Sequence, residues 1–372
     1  MNRPISHRDR DMQAQDDDLS FLRLIRSRRV GPATFHRLLA EHGSASAALL
    51  ALPEIAAEAG MKDYQSCPEG VAAAEIAAGR RAAARMLRCD SPDYPVLLRQ
   101  IDGAPPVLWV RGDPAWLSRN PVAVIGARNA SSLGLRMARG MAQGLGEAGQ
   151  TVVAGLARGI DTIAHNAALS TGTVAVMAGG IDTIYPAENL ALSAQIAEQG
   201  ALVSEQPPGT EPTARHFPMR NRIISGLSRA VVVIEAAHRS GSLITARNAL
   251  DQGREVMAVP GHPMDARAAG CNALIRDGAT LVRNSGDVMA MIDPDWQVAV
   301  TESLPLEIQP LPTTDSNDAE AQILARLGAS PTEEDLLIRD IGLPAQFTSA
   351  AILSLELQGK LVRLAGGRVA RS

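Results

Sequence analysis

The chain has 372 residues, of which 46% are hydrophobic, 20% charged and 3% aromatic. That length and apolar content suit two or three domains, each with a core of its own. The 36 basic and 40 acidic residues give a formal net charge of −4, which argues against binding nucleic acid by uniform positive charge. All basic residues except Lys62 and Lys360 are arginines, a bias that we attribute mainly to codon usage.

The cysteines and the hydropathy pattern predict a cytoplasmic protein. Cys67, Cys89 and Cys271 are odd in number and widely spaced, so they indicate neither a disulfide framework nor a zinc site. The first 18 residues lack the apolar core of a signal peptide, and no apolar run reaches the ~20 residues that span a bilayer. We therefore expect no metal and no membrane segment.

The N-terminal part is predicted to be a polar, disordered tail over residues 1–18, followed by a small helical domain over 19–89. In that domain apolar residues recur at helical spacing, and glycine-containing pairs punctuate them. Between residues 19 and 88 there are ten basic residues and six acidic ones. The segment Val30-Gly31-Pro32-Ala33 resembles the turn of a helix–hairpin–helix, whose backbone amides can bind a phosphate, although a plain helix-packing turn fits it equally well.

Residues 90–293 are predicted to form a doubly wound, Rossmann-like α/β domain, which is entered through a proline-rich connector over 90–106. Short apolar runs alternate with helix-like segments, the pattern of a mostly parallel sheet covered by helices on both faces. The predicted strands are VLWV (107–110), VAVIG (122–126), TVVAG (151–155), TVAVMAG (173–179), ALVSE (201–205), AVVVIEA (230–236) and EVMAVPG (255–261). The predicted helices span 132–148, 160–169, 189–199 and 242–252.

The C-terminal part is predicted to be a linker and a winged helix. Residues 294–318 contain four prolines and no basic residue, which is typical of a linker. Over 319–372, two helical runs precede an apolar hairpin with Gly366-Gly367 at its turn, and this order predicts a winged helix. Its six basic and six acidic residues give no electrostatic support for DNA binding by this domain.

Ligands of a doubly wound sheet bind beyond the carboxyl ends of its strands, so the loops there form the candidate site. The loop that starts at Gly126 places Arg128 where a dinucleotide site needs a second glycine, and no acidic residue ends the next strand. We therefore expect no NAD(P), and no motif suggests another cofactor. A glycine, a helix N-terminus and an arginine suit a phosphate, whereas an ion pair between Arg128 and a neighbouring carboxylate is the alternative.

Two further loops carry polar groups that could meet an anion. Arg220 and Arg222 flank Asn221 where a helix is predicted to begin. Residues two apart do not share a helix face, so we expect one arginine to reach a ligand and the other to hold the fold. The segment Ser240-Gly241-Ser242 leads into a helix and offers amides and hydroxyls to an anion, unless Ser242 is simply an N-cap.

Support for catalysis is thin. Asp161 and His165 are four residues apart on one predicted helix face, and Asp182 follows a strand, so a hydrolase could use such groups. A carboxylate is ordinary at a helix start, however, and no nucleophile or metalloprotease motif is present. We therefore favour structural roles for these residues and a protein that is not an enzyme.

Taken together, these segments resemble the bacterial DNA-processing protein A (DprA/Smf) family. The resemblance follows the family's order across the α/β region, about half of the chain. An N-terminal sterile-alpha-motif-like helical domain and a C-terminal winged helix also occur in relatives. The matching segments are VAVIGARNASSLG (122–134), AGLARGIDTIAHNAAL (154–169), GGIDTIYPAENLAL (179–192), SEQPPGTEP (204–212), HFPMRNRIISGLSRAVVVIEA (216–236), SGSLITARNAL (240–250) and GREVMAVPG (253–261).

The resemblance implies a single-stranded DNA-binding recombination mediator that protects incoming DNA in natural transformation and helps to load a RecA-type recombinase. Relatives generally act as homodimers through the Rossmann-like domain. By motif, it implies DNA contacts at Arg128, Arg220, Arg222, Ser240, Gly241 and Ser242, with Arg158 a weaker candidate. From the same loops we add Gly126, Phe217 and Asn221.

This chain departs from its relatives at one edge of the candidate site. Some relatives carry a basic residue in or just after the Asp-x-x-Tyr-Pro segment, where this chain has Thr183 and Ala187, and residues 174–214 contain no lysine or arginine. Phosphate contact should then fall on the arginines named above. Only two aromatic residues, Phe217 and Tyr185, lie in the candidate loops, so we expect phosphate contacts to contribute more to binding than base stacking does. The affinity for DNA should therefore fall steeply as the salt concentration rises.

Two other hypotheses stay open. The first is a nucleotide or phosphoribosyl hydrolase of the lysine-decarboxylase-like group, which resembles this sheet and uses a Pro-Gly-Gly-x-Gly-Thr-x-x-Glu loop. The stretch 240–246 has no glutamate at the corresponding place. In the second, the flanking domains are protein-interaction modules.

The leading hypothesis, a single-stranded DNA-binding protein, predicts that Arg128→Ala or Arg220→Ala weakens binding to oligonucleotides of any sequence without unfolding the protein.

Overall fold

A computed structural model describes residues 18–293, 316–327, 331–341, 343–364 and 367–372. The chain divides into two compact units, residues 1–297 and 298–372. The predicted tail (1–18) and linker (294–318) lie outside the described residues, except that residue 18 begins the first helix and residues 316–318 begin the first helix of the second unit.

Four helices open the first unit, and their ends follow local sequence signals. Their bounds are α1 18–26, α2 Pro32–His42, α3 Ala45–Glu58 and α4 Glu69–Arg81. Helix α2 begins at Pro32, where a missing N–H costs nothing, and ends at Gly43 in the left-handed conformation (φ 75°). Ser44 then caps α3 by accepting a backbone N–H. The rings of Phe21 and Phe35 meet edge-on in the core, with centroids 4.9 Å apart.

A nine-stranded sheet follows, with strand order β1-β2-β6-β5-β4-β3-β7-β8-β9. The strands are β1 Arg85–Arg88, β2 Val107–Gly112, β3 Pro121–Ile125, β4 Thr151–Ala154, β5 Thr173–Val176, β6 Ala201–Ser204, β7 Ala230–Val233, β8 Glu255–Ala258 and β9 Thr280–Leu281. The seven neighbouring strands β6-β5-β4-β3-β7-β8-β9 are all parallel to one another, whereas β2 is antiparallel to both β1 and β6. The predicted mostly parallel sheet is confirmed, and its seven predicted strands are β2 to β8.

Strand β1 corrects the prediction of a helical segment that extends to residue 89. Its four residues have only Leu87 buried, and they pair antiparallel with β2, with Met86 opposite Trp109. A stretch this short carries too little periodicity to separate a strand from a helix end, and its partner is distant in sequence. The edge strand β9, only two residues long, was missed for the same reason.

Helices cover both faces of the sheet. They are α5 Val96–Arg99, α6 Ser132–Glu147, α7 Ile160–Ala168, α8 Leu190–Gln199, α9 His216–Leu227, α10 Ser242–Asp251, α11 Ala269–Arg276 and α12 Ser285–Ile292. Helices α6, α7, α8 and α10 match their predictions to within one residue at each end. Alternate residues of β3 enter different cores: Val122 and Val124 pack on one face, Ala123 and Ile125 on the other. The sheet is therefore the centre of a three-layer domain.

The second unit is a small winged helix, as predicted. It contains α13 Ser316–Arg326, β10 Thr332–Glu333, α14 Glu334–Ile341, α15 Ala345–Leu357, β11 Leu361–Leu364 and β12 Arg368–Arg371. The sheet order is β10-β12-β11, and Ile323, Ile352 and Val369 are fully buried in its core. Of the predicted turn, Gly366 lies outside the described residues, and Gly367 has a φ of 69°.

The described part of the chain has neither a membrane-spanning helix nor a metal-binding cluster. No helix there is long and apolar enough to cross a membrane. No group of three or more His, Cys, Asp or Glu side chains there is placed to hold a metal ion.

Candidate nucleic-acid interface

The candidate site is a cavity of about 750 Å³ where the winding of the sheet reverses. From β3 the chain proceeds through β4, β5 and β6 in one direction, and β7, β8 and β9 lie on the other side of β3. Loops diverge at such a switch point, which leaves a crevice beyond the carboxyl ends of the strands. Eight of the ten residues expected to contact DNA line it, namely Gly126, Arg128, Phe217, Arg220, Asn221, Ser240, Gly241 and Ser242.

The loop after β3 is held by a buried carboxylate. Glu235, 8% exposed, follows β7 and accepts hydrogen bonds from the backbone N–H and the hydroxyl of Ser131. Ser131 in turn caps α6 by accepting the N–H of Gly134. Gly126 is needed at the start of the loop, because a Cβ there would lie 2.7 Å from Ile160 and 3.0 Å from the carbonyl oxygen of Glu235.

These contacts leave the side chain of Arg128 exposed at the cavity. Gly159, with φ 76°, packs beneath the loop, where a Cβ would lie 2.5 Å from the carbonyl oxygen of Arg128. The guanidinium carbon of Arg128 lies 5.0 Å from the centre of the Phe217 ring. Among the residues described, no carboxylate lies within 4.0 Å of it, so the alternative of a structural ion pair is not realised. Its hydrogen-bond donors are available to a ligand.

Arg220 also lines the cavity, but it is 6% exposed and part of the fold. Its guanidinium donates to the carbonyl oxygens of Gly155 and Val176, at the ends of two parallel strands. Gly155 makes room for it, since a Cβ there would fall 2.3 Å from Nη1. Burial lowers the pKa of Arg220 to about 10, so the group stays charged at neutral pH. Arg220 therefore has the structural role expected of one arginine of this pair, and Arg220→Ala should destabilise the fold, contrary to the prediction made from the sequence.

Asp161, whose negative charge acts on Arg220, also has hydrogen-bond partners within the fold. Asp161 is 6% exposed, and its Oδ2 accepts the N–H groups of Gly155 (2.9 Å) and Ala157 (3.3 Å). Burial raises the pKa of Asp161, while the positive charge of Arg220 opposes that rise. The two groups therefore stabilise the strand ends together.

The other candidate catalytic groups also have structural partners. His165 is fully buried, with Nδ1 2.7 Å from the hydroxyl of Thr173, and burial lowers its pKa to about 3. Asp182 accepts the N–H of Gly209 at 2.6 Å. Asp161 and His165 share a helix face, as predicted, but each bonds to a different partner. The geometry therefore favours the structural interpretation.

Two predicted contacts lie away from the main cavity. The Nη2 of Arg222 is 2.6 Å from both oxygens of Glu205, and these side chains are 19% and 12% exposed. Arg222 does not line the cavity. Arg158 lines a smaller neighbouring cavity of about 50 Å³, where its Nε lies 2.8 Å from Glu188. Both side chains of that second pair are more than half exposed, so the pair is a weak one.

An aromatic pair lines the smaller cavity, and one of its rings, Phe217, also lines the main cavity. The rings of Tyr185 and Phe217 meet edge-on, with centroids 5.7 Å apart and an interplanar angle of 62°. Tyr185 is 52% exposed, and both rings line the smaller cavity together with Arg128. A base could therefore reach a ring next to a free guanidinium.

The loop after β7 presents hydroxyls to the main cavity. The hydroxyls of Ser240 and Ser242 are 2.7 Å apart. Gly241 is the N-cap of α10 and Ser242 is its first residue, so Ser242 is not the N-cap. Asn221 donates to the carbonyl oxygen of Gly241 at 3.4 Å, which joins this loop to α9. Polar groups at a helix start are suited to an anion.

Sequence reasoning missed two arginines of this site. Arg239 and Arg267 are exposed and line the main cavity. Arg239 lies in the loop after β7, which the sequence alone already identifies as a candidate binding loop. Arg267 lies outside every segment that matches the family, so no sequence signal pointed to it. With them, the described residues that line the cavity include four arginines and one carboxylate, that of Asp161.

Comparisons with known proteins agree with this geometry. A family model described as DNA recombination-mediator protein A matches residues 85–293. A DprA-like N-terminal HHH domain matches 15–78, and a DprA winged helix domain matches 307–367.

Individual proteins of this family are also similar to the chain. DNA processing protein DprA of Bacillus subtilis is 41% identical over 230 residues, 61% of this chain and 77% of the relative. Protein Smf of Escherichia coli is 38% identical over 298 residues, 76% of each. The X-ray structure of DprA from Streptococcus pneumoniae aligns with a TM-score of 0.59 at 34% identity, covering 71% of this chain and 98% of that one. DNA processing protein A from Helicobacter pylori, whose structure was described for its single-stranded DNA binding mode, aligns with a TM-score of 0.53 at 26% identity, covering 58% and 99%.

Proposed function

The chain belongs to the DNA recombination-mediator protein A (DprA/Smf) family, and on that premise we propose that it binds single-stranded DNA in the cavity at the switch point. The observation that carries the proposal is the charge of the cavity: among the described residues, four arginines and a single carboxylate line it. A protein with a net charge of −4 thus concentrates positive charge at the strand ends. A cavity with a net positive charge attracts a polyanion even though the molecule as a whole carries a net negative charge.

Phosphates would be held by the exposed arginines and by the polar groups at helix starts. Arg128 has no carboxylate partner among the residues described, so its planar fork is free to bind phosphate oxygens in pairs. The hydroxyls of Ser240 and Ser242 add neutral donors. Such contacts do not read base identity, which suits a protein that accepts any sequence.

Bases would stack on Phe217 and Tyr185. Stacking on an aromatic ring contributes about 1–3 kcal/mol per base and tolerates any sequence. With two rings beside the cavities, phosphate contacts would dominate. Each phosphate contact adds about −0.7 to the slope of log K against log salt for a single strand, so affinity should fall steeply with ionic strength.

We further propose that the protein acts by binding and not by catalysis. Asp161 is the only carboxylate among the described residues that line the main cavity, and its Oδ2 already accepts two backbone N–H groups. The loop that carries a glutamate in the lysine-decarboxylase-like hydrolases has none here. Release of free base from a nucleoside monophosphate by the purified protein would contradict this part of the proposal.

The biological role proposed is that of a mediator. The protein would shield an incoming single strand and help to load a RecA-type recombinase, acting as a homodimer through the Rossmann-like domain. A cytoplasmic location fits this role and the three free, buried cysteines. Recombinase-driven strand exchange on DNA coated by single-strand-binding protein should accelerate when this protein is added.

The DNA-binding proposal is tested by Arg128→Ala. Loss of one charge-assisted contact should weaken binding about tenfold or more to labelled oligonucleotides of several sequences, measured by fluorescence anisotropy. Because the side chain is exposed, the thermal midpoint should stay unchanged. Arg136→Ala on α6 is the matched control, since Arg136 is exposed but outside the cavity. Equal affinity for both variants and the wild type would refute the assignment.

A further inference from the structure

We propose that the bound strand leaves the cavity on the β7–β8 side of the switch point, where Arg239 and Arg267 bind its phosphates. This inference rests on the proposed function, because it names further contacts of the same site.

Charge is unevenly distributed between the two sides of the switch point. On the β4–β6 side, residues 174–214 contain no lysine or arginine, and Arg158 is paired with Glu188. On the β7–β8 side, Arg239 and Arg267 are both exposed and line the cavity. No carboxylate lies within 4.0 Å of either guanidinium in the part of the chain that the structure describes. Besides Arg128, the exposed arginines among the described residues that line the main cavity therefore lie on the β7–β8 side, whereas Arg215, exposed at the end of the loop after β6, does not line it.

The loops that carry these arginines are docked against each other. Helix α11 approaches the loop after β7 closely, because Gly270 donates its N–H to the carbonyl oxygen of Ala236 at 2.7 Å. A Cβ at Gly270 would lie 2.7 Å from that oxygen and 2.8 Å from the oxygen of Ala237. The two loops are thus fixed side by side, and Arg239 and Arg267 with them.

The backbone around Arg267 is ordered by its own side-chain contact. Asp265 accepts the N–H of Arg267 through Oδ1 at 2.9 Å, and its carbonyl accepts the N–H of Ala268. Ala268 is 7% exposed and anchors the turn, while Arg267 is exposed. Asp265 is the acidic residue of this loop, and it uses that oxygen on the backbone, not on the guanidinium. The turn therefore presents a cation to the cavity.

The test compares double variants of equal charge. Arg239→Ala with Arg267→Ala removes both contacts, and Arg136→Ala with Arg247→Ala removes two exposed arginines outside the cavity. At 0.1 M salt, two phosphate contacts at ~0.7 each in the log–log slope correspond to a roughly 25-fold loss of affinity for single-stranded DNA. The slope itself should flatten by about 1.4 in the first variant and change much less in the control.

The outcomes separate this inference from the proposed function. If Arg128→Ala weakens binding but the Arg239/Arg267 variant behaves as the control does, the exit path is wrong and the function stands. If the wild type fails to bind single-stranded DNA, both the exit path and the proposed function are wrong.

A second measurement does not depend on affinity. The three native cysteines are buried, so Arg267→Cys provides a single accessible thiol for a benzophenone label. With DNA in excess, a label at position 267 should crosslink to the oligonucleotide, whereas a label on Arg247→Cys should not. Equal crosslinking at both positions, or none at 267, would overturn the path.

Discussion

Replacing Arg220 by alanine should destabilise the protein and weaken DNA binding at once. The side chain is 6% exposed, and its guanidinium donates to the carbonyl oxygens of Gly155 and Val176. Asp161, also buried, loses its main positive neighbour in the variant. Two buried acceptors would lack a donor, and a buried carboxylate would lack its compensating charge.

The expected cost follows from these contacts. A hydrogen bond to a charged group contributes about 1.5–3 kcal/mol, and removal of one member of a buried charged set costs about 3–5 kcal/mol in total. We expect the free energy of unfolding to fall by about 3–5 kcal/mol. At about 2 °C per kcal/mol for a unit of this size, the thermal midpoint would fall by roughly 6–10 °C.

Urea denaturation of four proteins measures this directly: the wild type, Arg220→Ala, Asp161→Asn and the double variant. Since Asp161→Asn removes the uncompensated charge, the double variant should be more stable than the sum of the single effects predicts, by about 1–2 kcal/mol. The double variant should still bind DNA more weakly than the wild type, because it lacks one of the four arginines that line the cavity in the described part of the chain. A loss below 1 kcal/mol in Arg220→Ala, or strictly additive effects, would refute the structural role given to Arg220.

Two further predictions concern His165 and Arg222, which do not line the main cavity. Burial lowers the pKa of His165 from 6.5 to about 3, so between these values the unfolded chain binds a proton that the folded chain does not. The contribution of His165 to stability is present above pH 6.5 and is lost as pH falls towards 3, by at most about 1.4 kcal/mol per pH unit. Urea denaturation of the wild type and of His165→Gln gives the free energy of unfolding of each protein between pH 7.5 and 5. The two free energies should converge as pH falls, and a constant difference between them would contradict the assignment. Arg222→Gln should lower the unfolding free energy by about 1–3 kcal/mol, because Glu205 loses its partner, while the salt slope of DNA binding stays unchanged. A flatter slope would place Arg222 on the DNA after all.

Much of the fold was predictable because a doubly wound sheet has a strong sequence pattern. Strands β2 to β8 are short apolar runs, since most are buried on both faces, and the crossover helices between them carry clear periodicity. Strands β1 and β9 were missed because each is short and gains its stability from a distant partner.

The candidate site was predicted in outline for a related reason. In parallel sheets the strand ends meet at one edge, so the sequence alone assigns the loops after β3 and β7 and the start of α9 to one site. Eight of the ten expected residues do line the cavity. The two others, Arg158 and Arg222, turn towards glutamates that lie far from them in sequence.

By itself, the sequence determined the order of elements, the family and the loops that carry the site, because these depend on local periodicity and on motifs. Tertiary structure alone decided what each arginine does. Within the described residues, Arg128 has no carboxylate partner, Arg220 is buried among strand ends, Arg222 is paired with Glu205, and Arg239 and Arg267 line the cavity. The physical reason is that an arginine's availability to a ligand depends on which carboxylates and carbonyls surround its guanidinium, and those neighbours come from distant parts of the chain.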